Sequence, residues 1–174
     1  MSELDEQWAM AMAEAERRAR ASGRSDLADY LTLRASNDLA RSTGIEWLFN
    51  TFQTLAGEAN RAGSSIQITQ RDAHRFHVGN ATMVGRLLTF SMGVRKLMVE
   101  AGWPRVPRDG FVRGGGLASA HLRHFGQRSA DEELLLTRTP AGTPTWLVLE
   151  KSGERVPLSE ARVRRHLNRF LGDR

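Results

Sequence analysis

The chain contains no cysteine, which excludes disulfide scaffolds, thiolate zinc sites, iron–sulfur clusters and cysteine nucleophiles together. No apolar run approaches the roughly 18 residues that a membrane-spanning helix needs. The opening MSELDEQW is acidic where a secretory leader is basic. These absences lead us to expect a cytoplasmic protein with no membrane partner. Lysine is nearly missing as well, with only Lys96 and Lys151, so the positive charge is carried by arginine. No repeat or low-complexity tract divides the sequence.

What is present is enough for one core. A chain of 174 residues buries about 70% of its unfolded surface in a single domain, so neither metal nor cofactor is expected to hold it together. The net charge of +5 is uneven, because residues 1–63 carry seven Arg against ten Asp and Glu. That leaves −3 on this portion and +8 on the remainder, a distribution that favours an anionic partner, either nucleic acid or acidic protein.

The clearest element is the stretch 43–63. Ile45, Leu48, Phe49, Phe52, Leu55, Ala56 and Ala59 recur at helical spacing. Thr43 with Glu46 reads as a capping box and Gly63 as the stop. Two helices are expected before it. The first, over 3–21, carries a thin stripe of Leu4, Trp8, Ala11, Met12, Ala15 and Ala19. The second, capped by Ser25, turns Leu27, Tyr30, Leu31, Ala35 and Leu39 inward. Flanking helices of this kind would also bury Trp47. We divide the chain into a peripheral N-terminal helix, 1–22, and a single α+β domain, 23–174.

After Gly63 the period falls to 2. Strands are expected at 65–70 and 74–78, separated by Arg71, Asp72 and Ala73, then at 82–90, 94–101, 132–138 and 145–151. Residues 117–125 fit a helix or a strand. Ser159 caps a last helix with Val163, His166, Leu167, Phe170 and Leu171 on one face and Arg162, Arg165 and Arg169 on the other. N-terminal helices, a largely antiparallel and curved sheet, and a C-terminal covering helix make an α+β fold. In element order this resembles the cone-shaped helix-and-sheet folds of the NTF2-like group, a likeness that implies a pocket inside the curved sheet and transfers no function.

The candidate site is the loop GWPRVPRDGFVRGGG. Trp103 and Phe111 interleave there with Arg105, Arg108 and Arg113 ahead of Gly114, Gly115 and Gly116. Guanidinium forks suit phosphate or carboxylate, aromatic rings suit bases, and glycine lets backbone N–H groups approach an anion. If 117–125 were helical, its N-terminus would add a positive dipole end to the loop. Arg162, Arg165 and Arg169 extend the anion-binding set if they lie on the same side. On strands the histidine pairs His74/His77 and His121/His124 would each split across two faces, and a helical second pair could bind but has no carboxylate at matching spacing, so no metal is expected. Asp131, Glu132 and Glu133 read as solvated acids at a strand start. The leading expectation is a non-catalytic binding or accessory protein. One alternative is a small-ligand or enzymatic pocket lined by His74, Glu100, Trp103 and His121. A structural subunit that docks a protein partner through the N-terminal helix is another.

Overall fold

In a computed structural model, residues 3–21 and 23–172 are described. They form helices α1 (Glu3–Ala21) and α2 (Ser25–Arg61), then strands β1 (Gln67–Val78), β2 (Ala81–Met92), β3 (Arg95–Trp103), β4 (Ala118–His124), β5 (Glu132–Arg138), β6 (Pro144–Leu149) and β7 (Arg155–Pro157), and finally helix α3 (Glu160–Leu171). The chain divides into two compact units, 1–40 and 41–174, and the division falls inside α2.

In the first unit α1 and the start of α2 bury Ala19 and Ala28. Thr32 Oγ1 donates to Glu16 Oε1 at 2.9 Å. The inward face expected for this part of α2 is not realised: Leu27, Tyr30 and Leu39 are exposed, as are Leu33, Trp8 and Met10. The side chain of Leu4 and the whole of Ser22 lie outside the described residues.

The helix expected to begin at Thr43 is the second half of α2, and the capping box does not form. Glu46 Oε2 instead accepts from Arg86 at 2.8 Å. Gly44, one residue into the expected helix, is a packing contact. A Cβ there would stand 2.7 Å from Leu136 Cδ1, and Trp146 Nε1 donates to the Gly44 carbonyl at 2.8 Å. The expected stop at Gly63 is present, with φ of 111°. Asn60 then holds the exit of the helix, since its side chain accepts from Ile66 N at 2.8 Å and donates to Ile66 O at 3.0 Å.

The seven strands form one open antiparallel sheet in which each strand pairs with its sequence neighbour, so β1 and β7 are the edges. Alternation sorts the side chains into two faces. The inner face contributes Leu88, Phe90, Leu97, Val99, Leu122, Leu134, Leu136 and Trp146. These pack with Leu48, Phe49 and Phe52 of α2 and with Val163, Leu167 and Phe170 of α3. The outer face carries a smaller cluster of Phe76, Val78, Ala81 and Met83.

The interruption expected at 71–73 is a β-bulge inside β1, where the register slips between Arg71 and His74 and Ala73 takes φ of 52°. Beyond it His74 lies opposite Gly85, and Gly85 opposite Gly102. A Cβ on Gly85 would overlap the Ala101 carbonyl, and one on Gly102 the Val84 carbonyl. The bulge and the close backbone approach at the glycine pair fall next to one another in the sheet. Trp47 remains 45% exposed, against the burial expected for it. Residues 118–124 are a strand, so no helix N-terminus faces the arginine loop and that part of the anion argument falls.

Candidate functional site

The loop from Pro104 to Leu117 joins β3 to β4 and is packed across the outer face. Gly110 rests on Ala81, and any side chain on Gly116 would collide with Leu135. Val112 packs on the Phe76 cluster, and Leu117 N donates to Leu136 O at 2.8 Å. Gly114 and Gly115 both take positive φ, 74° and 73°, which glycine adopts at little cost. The three consecutive glycines thus let the loop turn tightly against the sheet.

Trp103 ends β3 on the inner face, opposite Val84. The Arg105 guanidinium carbon sits 3.5 Å from its ring centroid and that of Arg41 lies 5.6 Å away. Arg105 also donates to the Val84 carbonyl at 3.0 Å, and Arg41 Nε to Leu117 O at 2.7 Å. Arg108, Phe111 and Arg113 are exposed on the loop, and neither Arg108 nor Arg113 has an ion pair or hydrogen bond to the described residues.

The helix arginines stand elsewhere. From Trp103 back to Leu97, the residue that pairs with His124, is six residues, about 20 Å along a strand. The α3 cluster lies at that far end. Arg162 donates to Glu132 at 2.6 and 3.0 Å and pairs with Glu150 at 2.8 Å. Arg169 Nε donates to Gln127 at 3.2 Å. With Arg165 they line an open cleft of about 1610 Å³ whose carboxylates match its cations in number. The structure therefore separates the two groups of arginines.

Two histidine clusters are assembled across strands. Each sequence pair splits between faces as expected, and its members find partners on neighbouring elements. On the outer face Glu100 accepts from His74 Nε2 at 2.7 Å and lies 3.1 Å from His121 Nδ1. Arg123 stands 2.9 Å from the same carboxylate. Phe76 stacks on His74 and meets His121 edge-on. Burial works to raise the Glu100 pKa, but the hydrogen bonds from His121 and His74 and the Arg123 charge outweigh it and hold the carboxyl below its ordinary value. Three of the four residues expected to line a pocket thus converge, whereas Trp103 is on the other face.

The second cluster is beneath α3. His124 Nε2 lies 2.8 Å from His166 Nδ1, and His166 Nε2 lies 2.9 Å from Glu132 Oε2. Burial, reinforced by His166, pushes His124 down to about 4. Burial alone would raise Glu132, but His166 and Arg162 draw it down to about 2. Arg162 is held above its ordinary range by its bonds to Glu132 and Glu150. Glu132 is therefore no solvated strand end, and Asp131 is engaged too, accepting from His124 N at 2.8 Å. Only the position of His166 on the apolar stripe of α3 hinted at this network. Among the described residues no set of histidines and carboxylates is arranged to hold a metal ion.

Compared with known proteins, the chain matches no family model, no curated relative and no solved structure.

Proposed function

We propose that the protein is a non-catalytic binding or accessory protein that engages an anionic partner through its Arg-aromatic loop. The observation that carries this reading is the guanidinium–indole cluster. Arg105 and Arg41 are held against Trp103, while Arg108 and Arg113 are exposed on the adjoining loop, Arg113 with its guanidinium beside Gly79. Arg108 and Arg113, which have no ion pair among the described residues, stand on a packed loop whose backbone loses little freedom when they neutralise phosphate or carboxylate groups. The arginines of α3 make a smaller contribution in this reading, since Arg162 is already committed to Glu132 and Glu150.

Fluorescence anisotropy with labelled oligonucleotides across a salt series tests it. Affinity is expected to fall linearly in log salt, and replacing Arg108 and Arg113 by glutamate is expected to abolish most of the binding. Equal affinity for the double variant and the wild-type chain would sink the assignment to this loop. An acidic protein is the partner if a labelled acidic polypeptide binds while oligonucleotides do not.

A second reading, a small-ligand or enzymatic pocket, is favoured by the convergence of His74 and His121 on Glu100. A thermal shift with small metabolites that disappears in Glu100→Gln, with none from polyanions, would favour it over the first.

A further inference from the structure

We infer that Phe111 is a base-stacking platform for single-stranded nucleic acid, with Arg108 and Arg113 on the flanking phosphates. Trp103 serves as scaffold. This rests on the proposed anion-binding role of the loop and specifies the partner.

The two loop aromatics look equivalent in the sequence, and their surroundings differ. Trp103 is half-buried against the core, with the Arg105 guanidinium already stacked on it at 3.5 Å, so the ring is occupied. Phe111 is 81% exposed. A single exposed phenylalanine is ordinary by itself, but the backbone on both sides of this one is pinned. Gly110 N donates to Pro107 O at 3.1 Å and Asp109 N to Val106 O at 3.0 Å. Gly110 rests on Ala81, and Val112 is packed on the Phe76 cluster. The ring is thus presented from a fixed point, with a cation three residues before it and another two residues after. Stacking on an aromatic face combined with arginines on the backbone is the chemistry that holds single strands without regard to sequence. A duplex offers no free base face to such a ring, whereas a single strand offers base faces and phosphates together at a regular spacing.

The test uses the 174-residue chain and three labelled ligands at low salt: a short oligothymidine, an abasic strand with the same phosphates, and a duplex. Wild-type protein is expected to bind oligothymidine more tightly than the other two. Phe111→Ala is expected to weaken oligothymidine binding about five- to a hundred-fold, leave the abasic strand unchanged and leave the melting temperature unchanged; Phe111→Trp should retain binding. Arg108→Ala with Arg113→Ala should weaken oligothymidine and abasic strand alike. Equal affinity of wild-type protein for abasic and intact strands, or no loss in Phe111→Ala, overturns stacking and leaves the anion site standing. No binding of any oligonucleotide by the wild-type chain overturns stacking and the nucleic-acid form of the proposed function together, and leaves acidic protein as the anionic partner.

Discussion

His124 Nε2 and His166 Nδ1 share one hydrogen bond, 2.8 Å long, between β4 and α3. His166 Nε2 faces the Glu132 carboxylate, which only accepts, so that nitrogen carries a proton. The bond between the rings then needs one protonated nitrogen, and both imidazoles cannot be charged without losing it.

Acid is therefore expected to loosen α3. His124 has a folded pKa of about 4 against about 6.5 unfolded, so between those values the unfolded chain binds the extra proton. Its contribution, on the order of 3 kcal/mol, is complete above pH 6.5 and is lost as pH falls toward 4. Asp131 and Glu132 oppose this shift, and Arg169 adds to it. Glu132, with a pKa of about 2, loses its contribution later, between about 4.5 and 2. Urea unfolding from pH 8 to 4 should show the first fall, and His124→Gln should flatten it. A wild-type profile without slope between pH 6.5 and 4 would refute the assignment.

Arg162 neutralises Glu132 and Glu150 at once. Arg162→Ala leaves two half-buried carboxylates facing each other and should cost about 3 kcal/mol. Replacing Glu150 by glutamine in the same chain should recover part of that loss in chemical denaturation, because repulsion and not lost packing dominates.

Gly44→Ala tests whether packing overrides propensity. In an exposed helix the change stabilises by roughly 0.5–1 kcal/mol. Here two Leu136 methyl groups stand 2.7 and 2.8 Å from the new Cβ, and crowding of that kind costs about 1–3 kcal/mol. A net fall in melting temperature is expected, and in combination with Leu136→Ala the two losses should sum to less than their separate values.

Gly85→Ala and Gly102→Ala meet backbone and not a movable side chain. Each should destabilise by several kcal/mol and release His74 from Glu100, since His74 lies opposite Gly85 and Gly85 opposite Gly102. Loss of the His74 imidazole shift in proton NMR, alongside a lowered denaturation midpoint, checks both effects.

The order of helices and strands was legible because it depends on local periodicity. Phe49 with Phe52, and Val163 with Phe170, fall on apolar stripes whose spacing needs no tertiary information. Solvated and packed glycines have the same local signature, so nothing near Gly44, inside the helix expected from Thr43, records that Leu136 and Trp146 make it a packing contact. Arg71 to Ala73 likewise read as a gap, because a bulge differs from a turn only through its partner strand.

The candidate site divides in the same way. The sequence by itself determined the composition of the Arg-aromatic loop and the splitting of each histidine pair between two faces, since both follow from neighbouring residues. Tertiary structure decided which residues met: His74 and His121 on Glu100, His124 and His166 above Glu132, Arg105 on Trp103, and Phe111 left outward. The reason is physical. Strand pairing joins the histidine and carboxylate residues of the outer cluster across 21 and 26 positions, and the packing of α3 joins those of the inner one across 34 and 42, and no local pattern records which of them will meet.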